Sequence, residues 1–205
     1  MNEPEGQYSP DIRHVFKDTR DRIWASSLTG ISVFDKEGKQ IGNFWKGSNG
    51  LTGGISQAIN EDENGNIWLG IDNAGLFKFL ENDTNFSKSI FVKHDYLPQK
   101  NTDKYRQDIV AIQPDNKNGL WILNFSGHLT YYNINKKTGT AFTKNEYLQD
   151  INITSLLLQD ANNLWLGSNS GLHHFNTKTN TLNSYFRTDG LQGDKFVLRS
   201  AFKDN

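Results

Sequence analysis

A tryptophan returns four times in one local setting, and this recurrence limits the possible folds more than any other feature of the chain. The settings read Ile23-Trp24…Gly30-Ile31…Phe34, Ile67-Trp68…Gly75-Leu76…Phe79, Leu120-Trp121…Gly127…Tyr131 and Leu164-Trp165…Gly171-Leu172…Phe175. An aromatic follows each glycine by four residues, and the tryptophans are spaced 44, 53 and 44 residues apart. A period of this size marks a supersecondary unit that buries its apolar face only by stacking on its neighbours. Units of about 40 to 50 residues suit the four-stranded blades of a β-propeller.

Each unit divides into four short strands. A first strand precedes the tryptophan, at residues 12–16, 55–59, 109–112 and 153–158. A turn led by Asp18, Asp62, Asp115 or Asp160 follows, then the tryptophan strand, the repeat glycine and the aromatic strand. A fourth strand closes each unit, near residues 42–45, 89–92, 141–143 and 182–186. An aspartate repeated in every unit reads as a turn former that hydrogen-bonds its own backbone, because an active site is needed once. Phe202 to Asn205 look like the start of a further unit. The expected fold is all-β, a partial β-propeller of four four-stranded blades plus the start of a fifth. The blades fall at about 11–51, 52–107, 108–150 and 151–196, with a partial one at 197–205. Blades at open ends should expose strand faces and edges that ring closure covers.

Charge and composition remove several function classes. The 22 Lys and Arg against 23 Asp and Glu leave a net charge of −1, so no basic stripe for nucleic acid is expected. The absence of Cys removes disulfides, thiol nucleophiles and cysteine metal sites. No apolar run approaches the roughly 20 residues of a membrane span, and the first ten residues lack a signal-peptide layout.

The repeat also has a recognisable text. Asp62-Glu63-Asn64-Gly65-Asn66-Ile67-Trp68-Leu69-Gly70 with Gly75-Leu76-Phe77-Lys78-Phe79 resembles the two-component regulator propeller repeat. Asn163-Leu164-Trp165-Leu166-Gly167 with Gly171-Leu172-His173-His174-Phe175-Asn176 resembles it equally, as does the closing phrase Tyr185-Phe186-Arg187-Thr188-Asp189-Gly190-Leu191. The first unit lacks the turn glycine, and the third departs from the pattern after Trp121 and at His128. The resemblance implies the extracytoplasmic sensor region of a hybrid two-component histidine kinase, periplasmic and anchored in the inner membrane. It also implies an oligosaccharide ligand, with further blades and kinase domains of the parent protein as partners. A homodimer is a further expected partnership, and nucleic acid is not one. The sensor step needs no enzyme activity, no catalytic residue and no cofactor. A protein-interaction scaffold is the alternative, and a propeller polysaccharide lyase or glycoside hydrolase ranks below it.

Ligand contacts are expected on loops that converge on one face of the ring. The candidates are Trp45, which is out of phase with the other tryptophans, Asn73, Phe125, Asn169 and Arg187, and Tyr105 and Arg106 in the polar insertion of the long second unit. Further side chains on the same loops are Lys46, Asn49, Asp72, Asn124, Ser170, Asp189, Gln192 and Asp194. No metal site is expected. His173 and His174 are adjacent in a strand and so point to opposite faces. The acidic run Glu61-Asp62-Glu63 lacks the glycine and distal glutamate of a calcium loop.

Overall fold

The computed structural model describes residues 11–53, 56–97, 108–142, 147–148 and 150–201. They form four antiparallel four-stranded sheets, each a simple meander in chain order. The first holds β1 (Ile12–Lys17), β2 (Ile23–Ser27), β3 (Gly30–Phe34) and β4 (Gln40–Trp45). The second holds β5 (Ser56–Glu61), β6 (Ile67–Ile71), β7 (Gly75–Leu80) and β8 (Ile90–His94). The third holds β9 (Ile109–Pro114), β10 (Gly119–Asn124), β11 (Leu129–Asn133) and β12 (Thr138–Ala141). The fourth holds β13 (Ile153–Asp160), β14 (Asn163–Ser168), β15 (Gly171–Asn176) and β16 (Thr181–Tyr185). The first strands lie side by side across sheets, β5 against β1 and β9, and β9 against β13. They are therefore the inner strands of a propeller arc. No described helix is long and apolar enough to cross a membrane.

One carboxylate builds the turn that opens each blade. Asp18 Oδ1 accepts the backbone N–H groups of Arg20 and Arg22 at 3.0 and 2.9 Å. Asp62 Oδ1 accepts those of Asn64 and Asn66, both at 3.0 Å. Asp115 Oδ1 accepts those of Lys117 and Gly119, both at 2.8 Å. Asp160 Oδ1 accepts those of Asn162 and Asn163 at 2.9 and 3.1 Å. This is the expected turn-forming role, and it satisfies donors that the hairpin leaves without partners.

The second carboxylate oxygen ties the turn to the core. Trp24 Nε1 donates to Asp18 Oδ2 at 2.9 Å, and Trp68 Nε1 to Asp62 Oδ2 at 2.8 Å. In the fourth blade Gln159, six residues before Trp165, takes that indole instead at 2.8 Å. The third blade replaces a different part. Arg22, Asn66 and Asn163 each add a side-chain donor to their aspartate, at 2.6–2.9 Å. Gly119 has no side chain to offer, and the Tyr131 hydroxyl donates to Asp115 Oδ2 at 2.8 Å. A Cβ at residue 119 would lie 2.1 Å from that hydroxyl, so the glycine and the tyrosine require each other.

Stacking then buries the tryptophans against the next blade. Trp24 and Trp68 are fully buried and Trp121 nearly so. Trp24 meets Phe79 of the second blade edge-on at 4.9 Å. Trp68 meets Tyr132 of the third at 6.3 Å, and Trp121 shares a cluster with Leu158, Leu164 and Phe175 of the fourth. Trp165 differs from the expected core role and is half-buried. It rests on His174 and Tyr185 of its own sheet at 4.7 and 5.7 Å. Among the described residues no fifth sheet covers it. At the other end of the arc, Ile12 and Val15 of β1 are 54% and 58% exposed.

The fourth strand of the third blade also departs from expectation, running over Thr138–Ala141 rather than 141–143. Asn133 closes a tight turn by accepting the Lys136 N–H at 2.8 Å, and Lys137 adopts φ 53°. Pairing therefore begins early, and Gly139 lets the strand pass Tyr96 so closely that a Cβ would lie 1.7 Å from its carbonyl oxygen. The expected start of a fifth unit at 202–205 lies outside the described residues.

The stacking account predicts unequal tryptophans. Trp68→Ala should cost about 3–5 kcal/mol in chemical unfolding, and Trp165→Ala clearly less. A decrease of the acrylamide-accessible fluorescence component in the Trp165→Phe variant, and not in Trp68→Phe, checks the same difference; Trp45 supplies the remainder.

Candidate functional site

The two faces of the arc use their polar groups differently. On the face of the opening turns, carboxylates stitch blades together. Glu61 accepts the Thr19 N–H and hydroxyl at 2.6 and 2.8 Å, and Glu63 accepts the Asn118 N–H at 2.9 Å. Glu81 receives Arg20 and Arg22 of the first blade, both at 2.8 Å. Arg22 and Asp18 form a buried ion pair at 2.6 Å. Burial pushes the Asp18 carboxyl up, but hydrogen bonds from Trp24 and Arg22 and the Arg22 charge outweigh it and hold it below the usual carboxylate range. The run Glu61-Asp62-Glu63 thus serves the previous blade, its own turn and the next blade. No described cluster of acids and histidines is arranged to hold a metal.

The opposite face carries the loops between second and third strands and the connections between blades. A cleft of about 440 Å³ opens there between the first and second blades. It is lined by Leu28, Lys46, Thr52, Gly53, Asp72, Asn73, Ala74 and Lys93. This volume falls within the roughly 300–1,000 Å³ of small-ligand sites. Gly53 lets the connection between blades pack closely on the second blade: a Cβ there would lie 2.4 Å from Ile71 Cγ2 and 2.8 Å from the Asp72 carbonyl oxygen. Asn73 is exposed at the tip of the β6–β7 loop with φ 56°, a left-handed conformation that asparagine tolerates.

Asp108 organises one group of the expected residues. Its carboxylate accepts the Asn73 N–H at 2.8 Å, and its carbonyl accepts the Phe125 N–H at 2.8 Å. Phe125 is 58% exposed. Asp194 organises a second group in the fourth blade, accepting the Arg187 N–H at 2.5 Å through its side chain. Its carbonyl accepts the Gly171 N–H at 2.7 Å, beside the exposed Asn169. Trp45 is half-buried at the end of β4, its N–H donating to Ser48 Oγ at 3.0 Å. It does not line the cleft. Tyr105 and Arg106 lie outside the described residues. Asn49 and Asn124 have structural work: the Asn49 amide donates to the Ser87 and Ser89 carbonyls at 2.9 and 2.7 Å. Asn124 accepts the His128 N–H at 2.9 Å. The structure adds Leu28, Thr52, Gly53, Ala74 and Lys93 to the cleft. Only their folded proximity reveals them, since about 65 residues separate the first from the last.

A serine–histidine contact in the fourth blade resembles a nucleophile and base but has another use. Ser168 Oγ lies 2.9 Å from His173 Nε2, and His173 Nδ1 lies 2.8 Å from Ser184 Oγ. Ser168 also donates to the Gly171 carbonyl at 3.1 Å. This network assigns the proton to Nε2, with Ser184 donating to Nδ1. Burial lowers the proton affinity of His173, which keeps it neutral. Ser168 is fully buried, so no substrate reaches it. The chain of contacts links β14, β15 and β16.

No protein-family model matches the sequence, and no curated protein matches it. Solved structures share its fold. The extracellular domain of the candidate hybrid two component system BT3049 from B. thetaiotaomicron superposes with a TM-score of 0.71 at 19% identity. The match covers 95% of this chain and 25% of that one. The extracellular domain of the candidate one component system BT4673 from the same organism gives 0.67 at 19% identity, covering 95% and 25%. Streptogramin B lyase gives 0.62 at 15% identity, covering 86% of this chain and 55% of that one. The chain thus spans about a quarter of the two extracellular domains it resembles. These likenesses establish a propeller arc of the kind found in such extracellular domains.

Asp72 yields a prediction with a definite sign. Burial and the neighbouring Asp108 carboxylate raise its proton affinity, against smaller opposing effects of Gln57 and Arg199. The folded chain then holds this proton to higher pH than the unfolded chain, so the ionised form costs stability once pH rises through the folded-state titration. Asp72→Asn should unfold at a higher denaturant midpoint than the parent at about pH 7, and the gap should close toward about pH 4. Unfolding curves at a series of pH values check this.

Proposed function

We propose that this chain is a ligand-sensing propeller segment of a two-component regulator, outside the cytoplasm, and that it recognises a carbohydrate fragment in the cleft between its first and second blades. The observation that carries this reading is the cleft itself. It offers amide, hydroxyl, carboxyl and ammonium groups beside the apolar surface of Leu28 and Ala74. Amides and carboxyls bond sugar hydroxyls as donors and acceptors. The likeness to extracellular domains of two-component systems supports the setting.

Because the cleft is lined from both blades, a bound sugar contacts both. A ligand that favours one relative arrangement of blades shifts the population toward it by its difference in affinity for the two states. That shift would pass to further blades and to a kinase outside this chain. The step makes and breaks no covalent bond. A panel of oligosaccharides screened by thermal shift tests the reading. A binding sugar raises the unfolding midpoint through mass action, and Asn73→Gly, which keeps the left-handed backbone and removes the amide, should reduce that rise while leaving the unliganded midpoint close to the parent value. A panel that leaves the midpoint unmoved at millimolar concentrations would contradict it.

A further inference from the structure

The charges in the cleft narrow the ligand class. Lys46 follows β4 in the first blade, and Lys93 lies in β8 of the second, so the two ammonium groups approach one space from different blades. Both residues are exposed. Among the described residues neither forms an ion pair. On the opposite face the acidic groups Glu61, Glu63 and Glu81 are engaged in joining blades. Asp72 is the sole carboxyl group among the lining residues. The chain as a whole carries a net charge of −1, and this cleft brings two cations from different blades to one concave site, beside Asp72 and its neighbour Asp108.

Building on the carbohydrate reading, we propose that the ligand is an acidic sugar, one whose ring bears a carboxylate or a sulfate ester placed between Lys46 and Lys93. Thr52 and Asn73 bond ring hydroxyls, and Leu28 and Ala74 face the C–H side of the ring. Burial and Asp108 raise the proton affinity of Asp72, which weakens its repulsion of an anion as pH falls. Asp108, Arg199 and Gln57 are the charged and polar groups acting on Asp72. Of these Arg199 favours its ionised form, and it adds a third positive charge near the site.

Isothermal titration with four probes tests the proposal: digalacturonic acid, 6-sulfated N-acetylglucosamine, and the neutral partners digalactose and N-acetylglucosamine. At least one acidic probe should bind more tightly than its neutral partner, and which one does so separates carboxylate from sulfate. Lys46→Met and Lys93→Met should each weaken the acidic probe by about three- to tenfold at low salt, and added salt should shrink the difference. Both lysines are exposed, so an unchanged unfolding midpoint verifies that the variants fold. Equal binding of acidic and neutral partners, or acidic binding insensitive to both lysines, would overturn the charge assignment and leave the carbohydrate reading standing. No binding by any of the four, together with a silent neutral panel, would overturn both.

Discussion

A single carboxylate at the entrance to each blade holds the architecture together. One of its oxygens gathers two backbone N–H groups and so fixes the turn between the first and second strands. Its other oxygen, in the first two blades, receives the indole N–H of a tryptophan buried against the next blade. The turn, the strand and the stacking contact are therefore coupled through one side chain. A buried indole without an acceptor would cost about 1–3 kcal/mol, and the aspartate removes that cost where burial is deepest. The arrangement also shows how a repeat tolerates change. Gln159 takes over the indole in the fourth blade, and Tyr131 supplies the donor that Gly119 lacks in the third.

Repetition serves assembly on one face of the arc, and the proposed site lies on the other. Glu61, Glu63 and Glu81 join adjacent blades on the face of the opening turns. The opposite face has a cleft with two lysines, at the junction of the first two blades. Its residues come from two blades: Gly53 packs closely on Ile71 and the Asp72 carbonyl, Asn73 sits in a left-handed tip, and Lys46 and Lys93 come from different blades. In the proposed reading, a ligand bound there would act by favouring one arrangement of the two blades. The oxygens of the repeated aspartates are occupied by turn and side-chain hydrogen bonds of the fold.

The periodic part of this account was legible in the sequence. Trp, Gly and aromatic spacing located four blades, and turn chemistry gave the aspartates their role. The indole contacts were hidden, since a spacing of six residues does not show which side chains meet across a hairpin. Trp165 read as core because its sequence setting matches the others. Its exposure depends on what lies beyond the fourth sheet, which local pattern does not record. Asn49 looked like a loop residue free for a ligand, yet it binds the Ser87 and Ser89 carbonyls about 40 positions away. The cleft was half legible. Asp72, Asn73 and Lys46 stood out as loop residues, whereas Thr52, Gly53 and Lys93 join them only through blade packing.

The central claim is that the repeated carboxylates hold the fold. Denaturant unfolding of the Asp62→Asn variant tests it most directly, because the substitution keeps the size of the side chain and removes the charge-assisted acceptor for Trp68 and Asn66. The account predicts a loss of about 1–3 kcal/mol in unfolding free energy, with the same slope against denaturant. An unchanged midpoint would contradict it and return these aspartates to the pool of residues available for function.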